Sequence, residues 1–266
     1  MYDLDALNAE LAGTIYAGEL HFAPVTGSTN TDATTAARDG APHGSVFFAD
    51  EQHAGRGRGD HTWLSAAGEG LYVSVLLRPD LPPACLPLMP LAAGLAAADA
   101  VRLTADLAVD LRWPNDLLLG PRKTGGILVE AQIRNQAEAN CIAFAVVGIG
   151  INVHQRGFAP GLATPATSLD LESGRRINRQ SLLVALLKSL EREAAGLLDP
   201  AARGTIPARI ERSSSWIRGR SVEVHGPREY TGITEGLDEQ GFLLVRTANG
   251  VVKVQTGGIR EAATSF

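Results

Sequence analysis

The segment Gln52-His53-Ala54-Gly55-Arg56-Gly57-Arg58-Gly59 places glycines at alternate positions around two arginines. Glycine exposes backbone N–H groups to close approach, and guanidinium groups add fixed cationic donors, so the segment suits a phosphate or a carboxylate. Arg112-Trp113-Pro114-Asn115-Asp116 ends an apolar stretch in polar side chains. Beyond it stands Lys123, where the chain enters the apolar run Ile127-Leu128-Val129 through Thr124-Gly125-Gly126, whose glycines permit close backbone contact. Gly148-Ile149-Gly150-Ile151-Asn152 closes another apolar run with an amide able to read a purine edge, since it both donates and accepts. No third glycine opens a helix after it, so this is no dinucleotide fingerprint. Taken singly, each group also reads as a solvated loop, a structural turn, a surface cation or an amide ending a strand.

The elements that must hold these groups follow from periodicity. Leu4, Leu7 and Leu11 predict an amphipathic opening helix ending near Gly18. A strand follows at His21–Val25, and Ser28-Thr29-Asn30 offers capping side chains to a helix over Asp32–Arg38 that Gly40 stops. Val46–Ala49 and Leu71–Leu77 read as buried strands, with the Gly–Arg segment as the loop between them. Met89–Leu103 is rich in Ala and Leu and predicts a buried helix. Val109–Trp113, Leu117–Leu119, Gly126–Ile133 and Cys141–Ile151 predict further strands, with turns at Asn115-Asp116, Gly120-Pro121 and Asn135–Ala139. Residues 157–180 read as a surface connection, Ser181–Leu198 and Pro207–Trp216 as helices. After Gly219 short alternating strands predict a small β domain: Val222–Val224, Tyr230–Ile233, Phe242–Arg246 and Val251–Gln255. The expected division is therefore 1–218 and 219–266, an α/β chain with a mixed sheet.

Composition narrows the function. The chain has 266 residues, 45% hydrophobic and 20% charged, the mix of an ordinary globular protein. A net charge of −5 with dispersed cations disfavours a dedicated nucleic-acid protein. Pro87 and Pro90 are expected to break the one long apolar stretch, and the first residues are acidic where a signal peptide is basic, so no membrane span and a cytoplasmic location are expected. Cys85 and Cys141 lack neighbouring ligands and read as two buried apolar thiols.

Taken in this order along one chain, Gly27-Ser28-Thr29-Asn30, Gly55–Arg58 followed by Trp63, Trp113–Asp116, Lys123–Glu130 and Gly148–Asn152 resemble the biotin-protein ligase family. The resemblance runs from about His21 to the C-terminus and implies an α/β (α+β) fold, with a mixed-sheet, class II synthetase-like ligase core and a C-terminal SH3-like β-barrel. It implies ATP and Mg²⁺ as cofactors, biotin as substrate, and a biotin carboxyl carrier protein of acetyl-CoA carboxylase or a related carboxylase as partner; the sequence leaves the oligomeric state open, a homodimer included. About 20 residues precede the first matched strand, too few for the DNA-binding domain of repressor members, so no DNA partner is expected.

The resemblance also implies roles. Ser28, Thr29, Asn30, Gln52, Gly55, Arg56 and Gly125 would bind biotin. Arg58, Trp63, Asn115, Lys123 and Asn152 would bind the nucleotide. Lys123, Arg58 and Asp116 would be catalytic, and Asp116 would also hold Mg²⁺ or organise the incoming lysine. Biotin's carboxylate would attack the α-phosphate of ATP, and the resulting biotinyl-5′-AMP would acylate a lysine. One departure is an acid in the loop, Asp60, where the family usually carries a further Gly and basic residue. The nearest rivals are a lipoate-protein ligase or octanoyltransferase, and a non-catalytic module that holds RNA or protein. Biotin should raise the melting temperature and lipoate should not, because only a ligand of the folded state stabilises it. A shift with lipoate alone would select the rival enzyme.

Overall fold

The computed structural model describes residues 2–59, 61–135 and 140–262. Asp60 and most of the turn expected at Asn135–Ala139 lie outside the described residues. After α1 (Leu4–Glu10), the chain forms β1 (Leu20–Thr26), crosses through α2 (Thr29–Arg38) and returns as the parallel strand β2 (Val46–Gln52). Every later pairing of this sheet is antiparallel. It uses β3 (Gly70–Leu77), β4 (Asp110–Arg112), β5 (Asp116–Leu119), β6 (Arg122–Arg134) and β7 (Cys141–Asn152), in the order β1-β2-β3-β7-β6-β5-β4.

All eight residues of β3 are buried because both faces of the sheet are covered. Leu71, Val73, Val75 and Leu77 enter the main core, while Leu76 joins Ala33 and Ala37 of α2 with Phe144 and Val146 of β7. This is the two-fold alternation of a strand. The main core is closed by α3 (Leu88–Ala105) and α5 (Arg179–Leu198). Leu182, Leu183, Leu186, Leu187 and Leu190 of α5 are all buried, each stabilising the fold by about 1.5–3 kcal/mol.

Five expectations change. The opening helix ends at Glu10, well short of Gly18, and turns fill the interval. Pro87 is the N-cap residue of α3 and Pro90 lies in its first turn, where a missing N–H costs nothing, so these prolines start the helix and do not interrupt the apolar run. That helix is long and apolar enough to span a membrane, yet two thirds of it is buried in the core. Residues 157–180 are not merely a surface connection, because Thr167, Ser168 and Leu169 are fully buried and α4 (Leu169–Ser173) forms there. The helix expected over Pro207–Trp216 is instead α6 (Pro200–Gly204) and α7 (Ile206–Arg212), the chain leaving helical geometry at Ser213. Of the cysteines, Cys85 is buried and Cys141 only half-buried.

The last part of the chain forms β8 (Arg218–His225), β9 (Tyr230–Leu237), β10 (Leu243–Thr247), β11 (Gly250–Val254) and β12 (Gly258–Glu261), an antiparallel sheet in the order β11-β10-β9-β8-β12. β12 had no alternating pattern of its own; it forms by pairing with β8. Val222, Val224, Leu243, Val245, Val254 and Ile259 fill its interior. The small sheet is tied to the large one by Trp113, whose buried Nε1 donates to the Gly241 carbonyl at 3.0 Å. Trp113→Phe keeps the ring but strands that carbonyl, and should lower unfolding stability in urea by about 1–3 kcal/mol. An unchanged midpoint would show that the two sheets dock without this bond.

Candidate active site

One face of the large sheet carries a cavity of about 540 Å³. Its floor is β6 and β7 at Gly126–Leu128 and Gly148–Gly150, its walls the start of α2, the β2–β3 connection and the β4–β5 turn, and β8 and β12 of the small sheet complete the rim. The β2–β3 connection is not an unstructured loop. Gln52 and Arg56 bridge back to Ser65 and Thr62, and Trp63 N donates to the Gly55 carbonyl at 2.8 Å, so the segment is a narrow antiparallel extension folded over the sheet.

At one end of the cavity the groups are polar but mostly neutral. Ser28 occupies the N-cap position of α2, yet its side chain makes no capping bond and lines the cavity instead. Thr29 donates from its N–H to Gln52 Oε1 at 2.9 Å and contacts Ser74 Oγ at 2.8 Å. Ser74 donates to Asn30 Oδ1 at 2.6 Å, and Asn30 Nδ2 donates to Glu130 at 3.0 Å. Glu130 also pairs with Arg56, while Gln52 Nε2 donates to Ser65 Oγ at 2.8 Å. The result is one continuous chain, Arg56–Glu130–Asn30–Ser74–Thr29–Gln52–Ser65, fastening both ends of the β2–β3 extension to the sheet. Gly148 is required here, since a Cβ would stand 1.9 Å from Asn30 Oδ1.

The other end is cationic. Asp116 receives Lys123 Nζ on Oδ1 at 2.5 Å and Arg112 on Oδ2 at 2.6 and 3.1 Å. Burial opposes ionisation of this carboxyl, but the charges and hydrogen bonds of Lys123 and Arg112 outweigh it and hold Asp116 below the usual carboxylate range. Arg58 lines the cavity with no hydrogen bond or ion pair to another described residue, and burial lowers its affinity for a proton against the smaller opposing pull of Asp116. Among the described lining residues, Arg56, Arg58, Arg112, Lys123 and Arg260 face a single carboxylate, Asp116. Such a site favours an anion. Trp63 lies over the floor with Lys123 Nζ 5.5 Å from its ring centre, and Gly150 leaves room for the indole, since a Cβ there would meet Nε1 at 2.6 Å. That Nε1 is buried without a hydrogen-bond partner among the described residues.

Residues 22–152 match the Biotin/lipoate A/B protein ligase family, and residues 218–259 match the Biotin protein ligase C terminal domain. A Biotin--[acetyl-CoA-carboxylase] ligase of Mycobacterium tuberculosis is 34% identical over 243 residues, covering 88% of this chain and 85% of that protein. The chain belongs to the biotin protein ligase family. The Bifunctional ligase/repressor BirA of Bacillus spizizenii is 33% identical over 246 residues, covering 90% of this chain and 73% of the relative. In structure, the Aquifex aeolicus biotin protein ligase solved with biotin and ATP superposes with a TM-score of 0.76 at 28% identity, over 92% of this chain and 99% of that one. The mixed-sheet ligase core and SH3-like C-terminal barrel of the family are the two sheets described above.

For this ligase-family chain the cavity gathers Ser28, Thr29, Asn30, Gln52, Arg56, Arg58, Trp63, Asn115, Asp116, Lys123 and Asn152. Gly55 and Gly125 do not line it. They are packing positions, where a Cβ would meet the Trp63 carbonyl at 2.3 Å and Leu117 Cδ1 at 2.8 Å respectively. Asn115 spends its amide on the Ile127 carbonyl at 2.7 Å, and Asn152 donates to the Thr167 carbonyl at 3.0 Å while accepting from Gln155. Both amides are therefore partly committed to the scaffold. Asp116, the residue expected to hold Mg²⁺, has both oxygens engaged by cations, Lys123 on one and Arg112 on the other. Sequence reasoning passed over Ser74, Glu130, His225 and Arg260. Ser74 carried a signal, a hydroxyl inside an otherwise apolar strand. His225 and Arg260 carried none, because only the packing of the two sheets brings them to the site.

Glu130→Gln keeps the contact to Asn30 and removes the charge facing Arg56. The pair is part-exposed, so the effect should be small: hydrogen exchange at the Gly57 and Trp63 amides should quicken by up to about fivefold, near 1 kcal/mol. Exchange no faster than in the wild type would show that the ion pair does not hold the extension down.

Proposed function

We propose that this chain binds biotin and ATP in the one cavity, forms biotinyl-5′-AMP with release of pyrophosphate, and transfers the biotinyl group to a lysine of a biotin carboxyl carrier protein. The observation that carries this reading is the polarity of the cavity, a neutral hydrogen-bonding end beside a cation-rich end with one carboxylate. Biotin has matching parts: a ureido ring that exchanges neutral hydrogen bonds, and a carboxylate that must be activated.

A carboxylate is a poor acyl donor, because it is anionic and its leaving group would be oxide. In the first step a carboxylate oxygen forms a bond to the α-phosphorus of ATP while the bond from that phosphorus to the bridging oxygen breaks, and pyrophosphate leaves. In the second, a neutral lysine amine attacks the acyl carbon and AMP leaves with the anhydride oxygen. Negative charge builds on phosphoryl oxygens in the first step and on the acyl oxygen in the second, so fixed cations act most strongly in the transition states. Thr29 and Gln52, with Ser28, Asn30 and Arg56, would hold the ureido end. Lys123 would face the α-phosphate, kept charged and aimed by Asp116, while Arg58 would close on the phosphate from the β2–β3 extension. Trp63 would offer its ring to the base, with the uncommitted amide hydrogen of Asn152 beside it. Residues 219–266 would close the nucleotide end, and the supply of ATP and carrier protein places the reaction in the cytoplasm.

Pyrophosphate release that requires biotin tests the reading directly. Lys123→Ala should slow single-turnover release by roughly 10²–10³-fold, about 2.7–4 kcal/mol, while equilibrium biotin binding changes little. An unchanged rate would remove Lys123 from the chemistry, and release without biotin would overturn the activity itself.

A further inference from the structure

Outside the motifs that carry the reading above, the cavity rim holds one titratable group in unusual company. His225 ends β8, pairs across the barrel with Gly258 of β12, and lines the cavity. The ring packs closely against that partner with its Cε1–Nε2 edge nearest, since a Cβ at 258 would stand 2.9 Å from its Cε1 and 3.0 Å from its Nε2. No hydrogen bond or ion pair engages its imidazole among the described residues, so both ring nitrogens are free for a ligand. Charged groups face it from four elements: Arg260 on β12, Arg112 on β4, Arg58 on the β2–β3 extension, and Glu223 on its own strand. Three positive charges and one negative surround a group that can itself become positive. Burial first, and then Arg260, Arg112 and Arg58, hold the imidazole below its usual range, with Glu223 opposing them. The surroundings therefore disfavour the imidazolium in the free protein.

We propose that the barrel completes the polyphosphate end of this cavity, and that His225 takes up a solvent proton as a pyrophosphate-bearing ligand arrives and returns it to solvent as pyrophosphate leaves. The proposal rests on the reading of the cationic end as a phosphate site. The physical reason is the reversal of the local field. In the free protein the arginines repel a further proton. A di- or triphosphate brings several negative charges into the same space, outweighs the arginines and makes the imidazolium the favoured form, a second donor to a phosphoryl oxygen. Product release reverses the step: as pyrophosphate departs, the proton leaves, and the neutral ring no longer holds the leaving group. The sign follows. Since the bound form has the higher proton affinity, pyrophosphate binding strengthens as pH falls through the window between the two pKa values, by at most about tenfold per pH unit for one group.

The test uses the full-length protein and inorganic pyrophosphate, with the wild type, His225→Gln and Arg260→Gln compared. Calorimetric titration at pH 6.5 in two buffers of different ionisation heat counts the protons taken up on binding, and the difference between variants cancels the ionisation of pyrophosphate itself. The wild type should take up more than His225→Gln, by up to one proton per site. In the imidazole NMR titration, the resonance absent from His225→Gln should move to higher pKa when pyrophosphate is added. Arg260→Gln should raise the pKa of the same resonance in the free protein. Biotin affinity unchanged in both variants shows that the fold is intact and that the effect is confined to the phosphate end. Equal proton uptake by wild type and His225→Gln overturns the proposal while leaving the phosphate site standing. Failure of the wild type to bind pyrophosphate at all overturns both.

Discussion

The site depends on one carboxylate. Asp116 accepts Lys123 on one oxygen and Arg112 on the other, in a part of the molecule where every further lining charge is positive. Asp116 holds two of the lining cations directly and Arg56 is paired with Glu130, so Arg58 and Arg260 leave the cationic end with positive charge in excess. Arg58 shows the consequence, lining the cavity with no hydrogen-bond or ion-pair partner among the described residues. The excess charge is what an enzyme that stabilises developing phosphoryl charge requires: donors already oriented before the substrate arrives, with little reorganisation left for the reaction. Asp116 makes that arrangement tolerable in the free protein and fixes where the Lys123 ammonium points.

The neutral end answers a different need. A ureido ring is recognised by hydrogen bonds whose partners are already held in place, and the chain from Arg56 to Ser65 holds Thr29, Gln52 and Asn30 through neighbours on three elements. Such chains are costly when half-satisfied and rigid when complete. Arg56 and Ser65 stand at opposite ends of this one, so the β2–β3 extension that carries Arg58 is anchored to the sheet on both sides. The neutral end and the segment that carries Arg58 thus share one hydrogen-bonded framework. The glycines of β7 make the linkage steric as well, since Gly148 and Gly150 admit Asn30 and Trp63 against the floor.

How much of this was legible in the sequence follows the range of each interaction. Helices and strands with strong local periodicity, such as α5 and β3, were found within a few residues. The polar and charged motif residues line one cavity, while Gly55 and Gly125 pack behind it. What failed was set by distant partners. Pro87 and Pro90 look like breakers until the helix start is known, and β12 has no pattern apart from its pairing with β8. Glu130 stands in a recognisable motif, but its role comes from Arg56, 74 residues earlier, and from Asn30, 100 residues earlier. The barrel's contribution was invisible for the same reason: Trp113 meets Gly241 across 128 residues.

The most direct test of the account is a crystal structure of the full chain with a non-hydrolysable biotinyl-adenylate analogue. The ureido ring should lie against Thr29 and Gln52, with the phosphoryl oxygens within about 3.2 Å of Lys123 and Arg58 and the base beside Trp63. A ligand bound in the opposite sense, or a phosphoryl group that touches neither Lys123 nor Arg58, would contradict it.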